Sequence, residues 1–167
     1  MHAPLTPAER ARLQSRLRPA PSNLSLAGER DVRARLRAAG LRPTRQRLAL
    51  ATLLFAGGPR HVTAPALARE AAAAGAGLSL ATVYNTLNQF TATRLLTRVA
   101  IGGELAVFDT NPVHHHHFHV AAEGRLIDVP AEAIGFARLP DAPAGYAITG
   151  VDVVIRLRRI IQNGRPT

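Results

Sequence analysis

Five of the chain's seven histidines stand together in His114-His115-His116-His117-Phe118-His119, directly after Phe108-Asp109-Thr110-Asn111-Pro112-Val113. Packing alone asks for no such concentration of imidazoles. Each needs hydrogen bonds when buried and titrates near neutrality when exposed. Neutral imidazole is the commonest metal ligand, so the run reads as a site for a metal ion or for haem. It is internal and broken by Phe118, which argues against an appended tag; a solvated polar loop is the bland alternative, and the flanks must decide. With no cysteine, thiolate zinc sites and disulfides are excluded, and any metal rests on nitrogen and oxygen ligands. The run lacks an HExxH spacing and an evident general base, so no catalytic residue is assigned and a metal-dependent hydrolase is the weaker expectation.

The elements that must position this run fall into two unlike halves. A chain of 167 residues holds one ordinary domain or two small ones, and 47% apolar content supports a real core. No stretch of eighteen apolar residues and no signal-peptide core is present, so a cytoplasmic protein away from the membrane is expected. Residues 1–100 carry 15 arginines against four acids, a net charge of +11, while residues 101–167 carry six against seven, a net of −1. A basic first half joined to a near-neutral second half suggests a polyanion-binding module followed by something else.

In the first half, Thr6-Pro7-Ala8-Glu9 has the form of a capping box opening a helix to about Leu17, and Ser22 to Gly28 reads as a linker. Helices are expected over Arg30–Ala39, from the Thr44 cap to Ala56, over Ala64–Ala74 behind Thr63, and over Ser79–Thr93. Along the last, Leu80, Val83, Leu87 and Phe90 recur at helical spacing, which leaves Thr82, Asn85, Thr86 and Gln89 on or near the outer face. Leu96–Ile101 and Glu104–Asp109 then form a hairpin around Gly102-Gly103. Short helices followed by a hairpin are the order of a winged helix-turn-helix, whose last helix enters the major groove. In the second half, strands are expected over His115–Val120, Arg125–Val129 and Val151–Leu157, with a short helix over Pro130–Arg138. So few residues make a poor core alone, and this half is expected to pack against a second copy.

These residues resemble the ferric uptake regulator family from about Arg30 to Arg159. Gly40-Leu41-Arg42-Pro43-Thr44-Arg45-Gln46-Arg47 is similar to its start, Ala81-Thr82-Val83-Tyr84-Asn85-Thr86-Leu87-Asn88-Gln89-Phe90 to its recognition helix, and Val107-Phe108-Asp109 with the histidine run to its hinge and sensor. Leu80 to Leu87, Phe108-Asp109-Thr110-Asn111 and His115-His116-His117-Phe118 further resemble the iron response regulator branch, whose members respond to haem. The resemblance implies an α+β chain: an N-terminal extension at 1–24, a winged-helix DNA-binding domain at 25–110 and a small α/β dimerisation and sensing domain at 111–167. The DNA surface is expected to comprise Arg42, Arg47, Ser79, Thr82, Tyr84, Asn85 and Thr86, and the resemblance implies Tyr84 at a base and Arg42 at the backbone or minor groove.

The resemblance also places His61 at an interdomain metal site with a histidine of the run and Asp128. The chain departs from the family in three places, and it also lacks the cysteine-containing haem motif found near the N-terminus of some iron response regulators. The CxxC zinc motif is missing, its second position being Glu123; the wing offers a carboxylate at Glu104 only under a one-residue shift; and Phe118 stands where a histidine is usual. These departures favour haem on His115, His116 and His117. The alternative is ferrous iron, zinc or manganese held by His61, His116, His119 and Asp128. The expected function is a homodimeric transcriptional regulator of iron or haem homeostasis, acting on double-stranded DNA at an AT-rich pseudo-palindromic operator.

Overall fold

The structure is a computed structural model and describes residues 26–102 and 106–160. Four helices come first: α1 (Leu26–Ala38), α2 (Arg45–Phe55), α3 (Ala64–Ala73) and α4 (Leu80–Ala92). Three are started by hydroxyl caps at the places the sequence indicates. Thr44 accepts from the Arg47 N–H, Thr63 from the Ala66 N–H and Ser79 from the Thr82 N–H, each satisfying one of the orphan donors of a first turn. Helix α1 begins at Leu26, so residues 26–28, expected as the end of a linker, are helical. The expected helix over Thr6–Leu17, the rest of that linker, Gly103 and Glu104 lie outside the described residues.

The helices share one core. Leu36 of α1, Leu50 and Leu54 of α2, Leu67 of α3, and Leu87 and Phe90 of α4 are fully buried in a single cluster with Phe108. Truncating Phe90 to Ala would cost about 3–5 kcal/mol, the usual figure for deleting a buried aromatic ring.

Two three-stranded sheets follow. In the first, β3 (Val107–Asp109) lies between β1 (His61–Thr63) and β2 (Thr97–Val99), antiparallel to both, with His61 opposite Asp109. Both hairpin strands are shorter than the runs of strand formers that carry them. In the second, β4 (His115–Val120) is flanked by β5 (Arg125–Pro130), antiparallel, and β6 (Val154–Leu157), parallel. A single 3-10 turn over Ala121–Glu123 joins β4 to β5. This is the expected α+β architecture, a winged helix followed by a small C-terminal sheet.

One element departs from expectation. Instead of a helix over Pro130–Arg138 there is one 3-10 turn, Ala131–Ala133, after which Ile134 is extended and the chain runs irregularly to β6. Pro130 and Pro140 leave too short a stretch between them for a helix without strong tertiary packing, and Gly135 weakens it at its centre.

Candidate metal centre and nucleic-acid interface

Alternation along β4 decides what the histidine run can do, because successive side chains of a strand point to opposite faces. His115 and His117 share one face and meet His61 of β1, Asp109 of β3 and Asp128 of β5, the last being the register partner of His117. His115 Nε2 lies 3.0 Å from Asp109 Oδ2 and 3.5 Å from Asp128 Oδ1. His117 Nε2 lies 3.6 Å from Asp109 Oδ2, and His61 Nε2 lies 3.1 Å from Asp128 Oδ1 and 3.9 Å from Asp109 Oδ1. One donor atom from each of His61, His115, His117 and Asp128 falls within 4.8 Å of all the others.

Four of the inward atoms are buried with no hydrogen-bond partner: Nε2 of His61, His115 and His117, and Oδ2 of Asp109. Buried polar atoms are almost always paired, and each orphan costs about 1–3 kcal/mol. Here the orphans face one another. Three imidazole nitrogens with carboxylate oxygens form a donor set suited to a first-row divalent cation, and an ion among them would satisfy them together.

Neighbouring groups hold the set in place. The His115 Nδ1 lies 2.6 Å from the Val113 carbonyl oxygen. Donation to that carbonyl gives the tautomer whose Nε2 lone pair faces the cluster. The Asn111 backbone N–H donates to Asp109 Oδ1 at 2.8 Å, and its side-chain amide donates to Asp128 Oδ2 at 2.8 Å. Burial pushes the His61 pKa below its ordinary value and outweighs the attraction of Asp109 and Asp128, so the ring stands neutral, as a ligand must. Burial alone would raise the Asp109 pKa; the nearby His117 imidazole, the Asn111 N–H and the imidazoles of His61 and His115 bring it below the usual carboxylate value instead.

The remaining histidines fall elsewhere. His116, only 1% exposed, occupies the opposite face of β4, edge-on to Phe136 and His114, with the Val153 N–H 3.4 Å from its Nδ1. His119 shares the face of His115 and His117 but lies one pleat further along, opposite Leu126 and Arg156. Of the metal set inferred from sequence, His61 and Asp128 therefore stand in the cluster, whereas His116 and His119 do not. The haem triad His115, His116 and His117 is divided between two faces. Asp109, assigned no ligand role from sequence, is the cluster's most buried carboxylate; only the pairing of β3 with β1, which sets it opposite His61, brings it to the site.

Helix α4 buries Val83, Thr86, Leu87 and Phe90 and exposes Ala81, Asn85, Asn88 and Gln89, with Thr82 and Tyr84 half-buried beside them. Thr86 is a correction: it is 5% exposed, its hydroxyl donates to the Thr82 carbonyl at 2.9 Å, and it cannot reach DNA. The period of 3.6 puts it on the stripe of Val83 and Phe90. The hydroxyls of Ser79 and Thr82 lie 2.8 Å apart at the exposed helix start. Arg42 is exposed. Arg47 is bound within the protein, through Nε to Gln89 Oε1 at 3.1 Å and through Nη1 to the Arg42 carbonyl at 2.8 Å. It joins the start of α2 to the outer face of α4.

A sequence profile of the ferric uptake regulator family matches residues 38–149. The ferric uptake regulation protein of Shigella flexneri is 33% identical over 105 residues, spanning 62% of this chain and 71% of that protein. The ferric uptake regulator of Pseudomonas aeruginosa with manganese superposes with a TM-score of 0.57 at 27% identity, covering 75% of this chain and 96% of the other. The Vibrio cholerae regulator, at 23% identity and a TM-score of 0.58 over 76% of this chain and 98% of the other, shares the fold.

Proposed function

Since the chain belongs to the ferric uptake regulator family, and is thus a DNA-binding, metal-binding transcription regulator and not an enzyme, we propose that a divalent cation held by His61, His115, His117 and Asp128 sets its affinity for DNA. The observation that carries this reading is the convergence of orphaned buried nitrogens on two carboxylates, the buried Asp109 and the exposed Asp128. The cation is iron, manganese or zinc; the relative from Pseudomonas aeruginosa was solved with manganese. A bound ion would supply the positive charge that the inward-facing donors lack.

The ligands come from both sheets, which gives the ion its leverage. His61 belongs to β1, and the preceding residue is fastened to the residue after β3: the Arg60 N–H donates to Thr110 Oγ1 at 2.8 Å, and the Thr110 N–H and hydroxyl donate to the Arg60 carbonyl at 3.0 and 3.2 Å. The Arg60 guanidinium forms a two-pronged pair with Glu70 of α3, which packs against α4. His115, His117 and Asp128 belong to the second sheet. Drawing His61 toward them fixes the winged helix relative to the C-terminal sheet, and through it relative to a second subunit. Coupling of this kind requires only that the ion favour one of the two arrangements.

The rest of the reading follows. Residues 25–110 form the DNA-binding domain and 111–167 the dimerisation and sensing domain, in a cytoplasmic homodimer that spans an AT-rich pseudo-palindrome and governs iron homeostasis. Phe136, Leu139, Tyr146 and Ile148 are exposed apolar side chains for the second subunit to cover. Arg42, Tyr84 and Asn85 meet the DNA, with Arg47, Ser79 and Thr82 supporting them. The iron response regulator branch is the second reading, with one of His115, His116 and His117 as axial haem ligand; the run itself favours it, while the burial of all three rings leaves the macrocycle no open face. Calorimetric titration of metal-free protein with Mn2+ and Zn2+, beside absorbance on adding haemin, separates the two. One cation per chain, lost on changing His115 and His117 to Ala, supports the metal reading. A Soret shift without cation binding supports haem.

A further inference from the structure

Three helices end on the same pair of backbone hydrogen bonds. After α1, the Gly40 N–H donates to the Arg37 carbonyl at 2.9 Å and the Leu41 N–H to the Leu36 carbonyl at 2.9 Å. After α3, Gly75 donates to Ala72 at 3.0 Å and Ala76 to Ala71 at 2.8 Å. After α4, Arg94 donates to Thr91 at 3.0 Å and Leu95 to Phe90 at 2.8 Å. This cap holds its central residue in the left-handed region, at φ 74° for Gly40, 77° for Gly75 and 58° for Arg94. Glycine adopts that conformation freely, whereas a Cβ clashes with the neighbouring carbonyl. Arg94 is the only non-glycine residue at positive φ among the described residues. Two sibling caps in the same chain show that an arginine is not what the cap requires.

Nor do the described residues use the side chain. Arg94 is exposed, and beyond its backbone N–H its side chain forms no hydrogen bond or ion pair with any described residue. It stands where α4 passes into β2, the first strand of the wing, with Arg98 exposed a few residues further on. A helix lying in the major groove is flanked on both sides by phosphate strands. A long cation leaving the end of such a helix meets a phosphate wall and not a base edge.

We propose that Arg94 is a DNA-backbone contact, held at a strained helix end so that its guanidinium neutralises a phosphate beside the groove that α4 occupies. This rests on the DNA-binding reading above. It adds a contact that carries no sequence information and that sets grip and salt dependence.

The test uses the full chain, a duplex selected by the wild-type protein from a random pool, and an unrelated duplex of equal length. Dissociation constants are measured between 50 and 200 mM salt, with the thermal midpoint of each variant. Arg94→Gly is expected to keep or raise the midpoint, because it relieves the left-handed arginine. It should weaken both duplexes by about eightfold per bound subunit at 0.1 M salt and flatten the log–log salt slope by about 0.9, the contribution of one phosphate. Arg94→Lys should restore the slope. A wild-type slope in Arg94→Gly overturns the proposal. So does a loss confined to the selected duplex, which would make Arg94 a base reader. A fall in the midpoint that accounts for the lost binding also overturns it, since the arginine would then serve the helix end, where a cation meets the dipole favourably. If the wild-type protein binds neither duplex, the DNA-binding reading itself fails, and this contact with it.

Discussion

Replacing His61 with Ala distinguishes a metal ligand from a core histidine, because the two roles have different consequences in metal-free and metal-loaded protein. The His61 side chain is 16% exposed, and its buried Nε2 has no hydrogen-bond partner while lying 3.1 Å from Asp128 Oδ1. In metal-free protein His61→Ala removes the ring's packing but also an orphaned atom that costs about 1–3 kcal/mol. The two effects oppose each other, and the net change should lie within about 1 kcal/mol of zero. In loaded protein the balance differs. A cation at about 1,000 times its Kd stabilises the wild type by about 4.1 kcal/mol. Losing even an outer partner of a metal site weakens binding by about 10–100-fold, so losing a direct ligand should cost about 100-fold or more. The same cation then stands at about 10 times Kd and stabilises by about 1.4 kcal/mol. At about 2–4 °C per kcal/mol, the metal-induced shift in thermal midpoint falls from about 8–16 °C to about 3–6 °C. Scanning calorimetry with and without Mn2+ or Zn2+ reads both numbers. A variant that loses about 3 kcal/mol without metal yet keeps the full metal-induced shift would refute the reasoning and make His61 a packing residue.

Two further outcomes follow from the structure. The lowered His61 pKa means that the unfolded chain binds more protons between the folded value and 6.5, so stability falls as pH drops through that window. Asp109, also lowered, contributes stability above 3.8 that is lost as pH falls through its folded value. Acid therefore destabilises metal-free protein on both counts, and a thermal midpoint that rises on acidification from pH 6.5 would contradict the geometry. On DNA, Tyr84→Ala should cost about 1–3 kcal/mol on a selected duplex and little on an unrelated one, while Arg42→Ala weakens both and flattens the salt slope by about one unit. Equal losses on both duplexes from both variants would mean that α4 does not face the groove.

Local chemistry made much of the winged helix legible. Thr44, Thr63 and Ser79 announce three helix starts, Val83, Leu87 and Phe90 name the buried face of α4 while Leu80 at its start is exposed, and the run His115–Val120 marks a strand. What depends on pairing over distance was not legible. A three-residue strand such as His61–Thr63 has no period of its own; it exists because β3 supplies its hydrogen bonds, and that pairing carries Asp109 to His61. Composition could show that the histidines were chemical, but their division between two faces follows from the strand's alternation. That rule separates His115 and His117 from His116, and the register with β5 then adds Asp128. Thr86 was misread because its side chain reads as polar while its helical position is the core's. Arg94 gave no signal in the sequence, since a left-handed arginine is visible only in the backbone.

The central claim, that the cluster couples metal to DNA, is tested most directly by fluorescence anisotropy of a labelled duplex, selected by the metal-loaded wild type, during Mn2+ titration of metal-free protein. Affinity for the duplex should rise as the ion fills the site, and a variant with His115 and His117 changed to Ala should bind the duplex weakly at every Mn2+ concentration. A wild type whose DNA affinity is indifferent to Mn2+, Zn2+ and Fe2+, or a double variant that still responds to the ion, would contradict it.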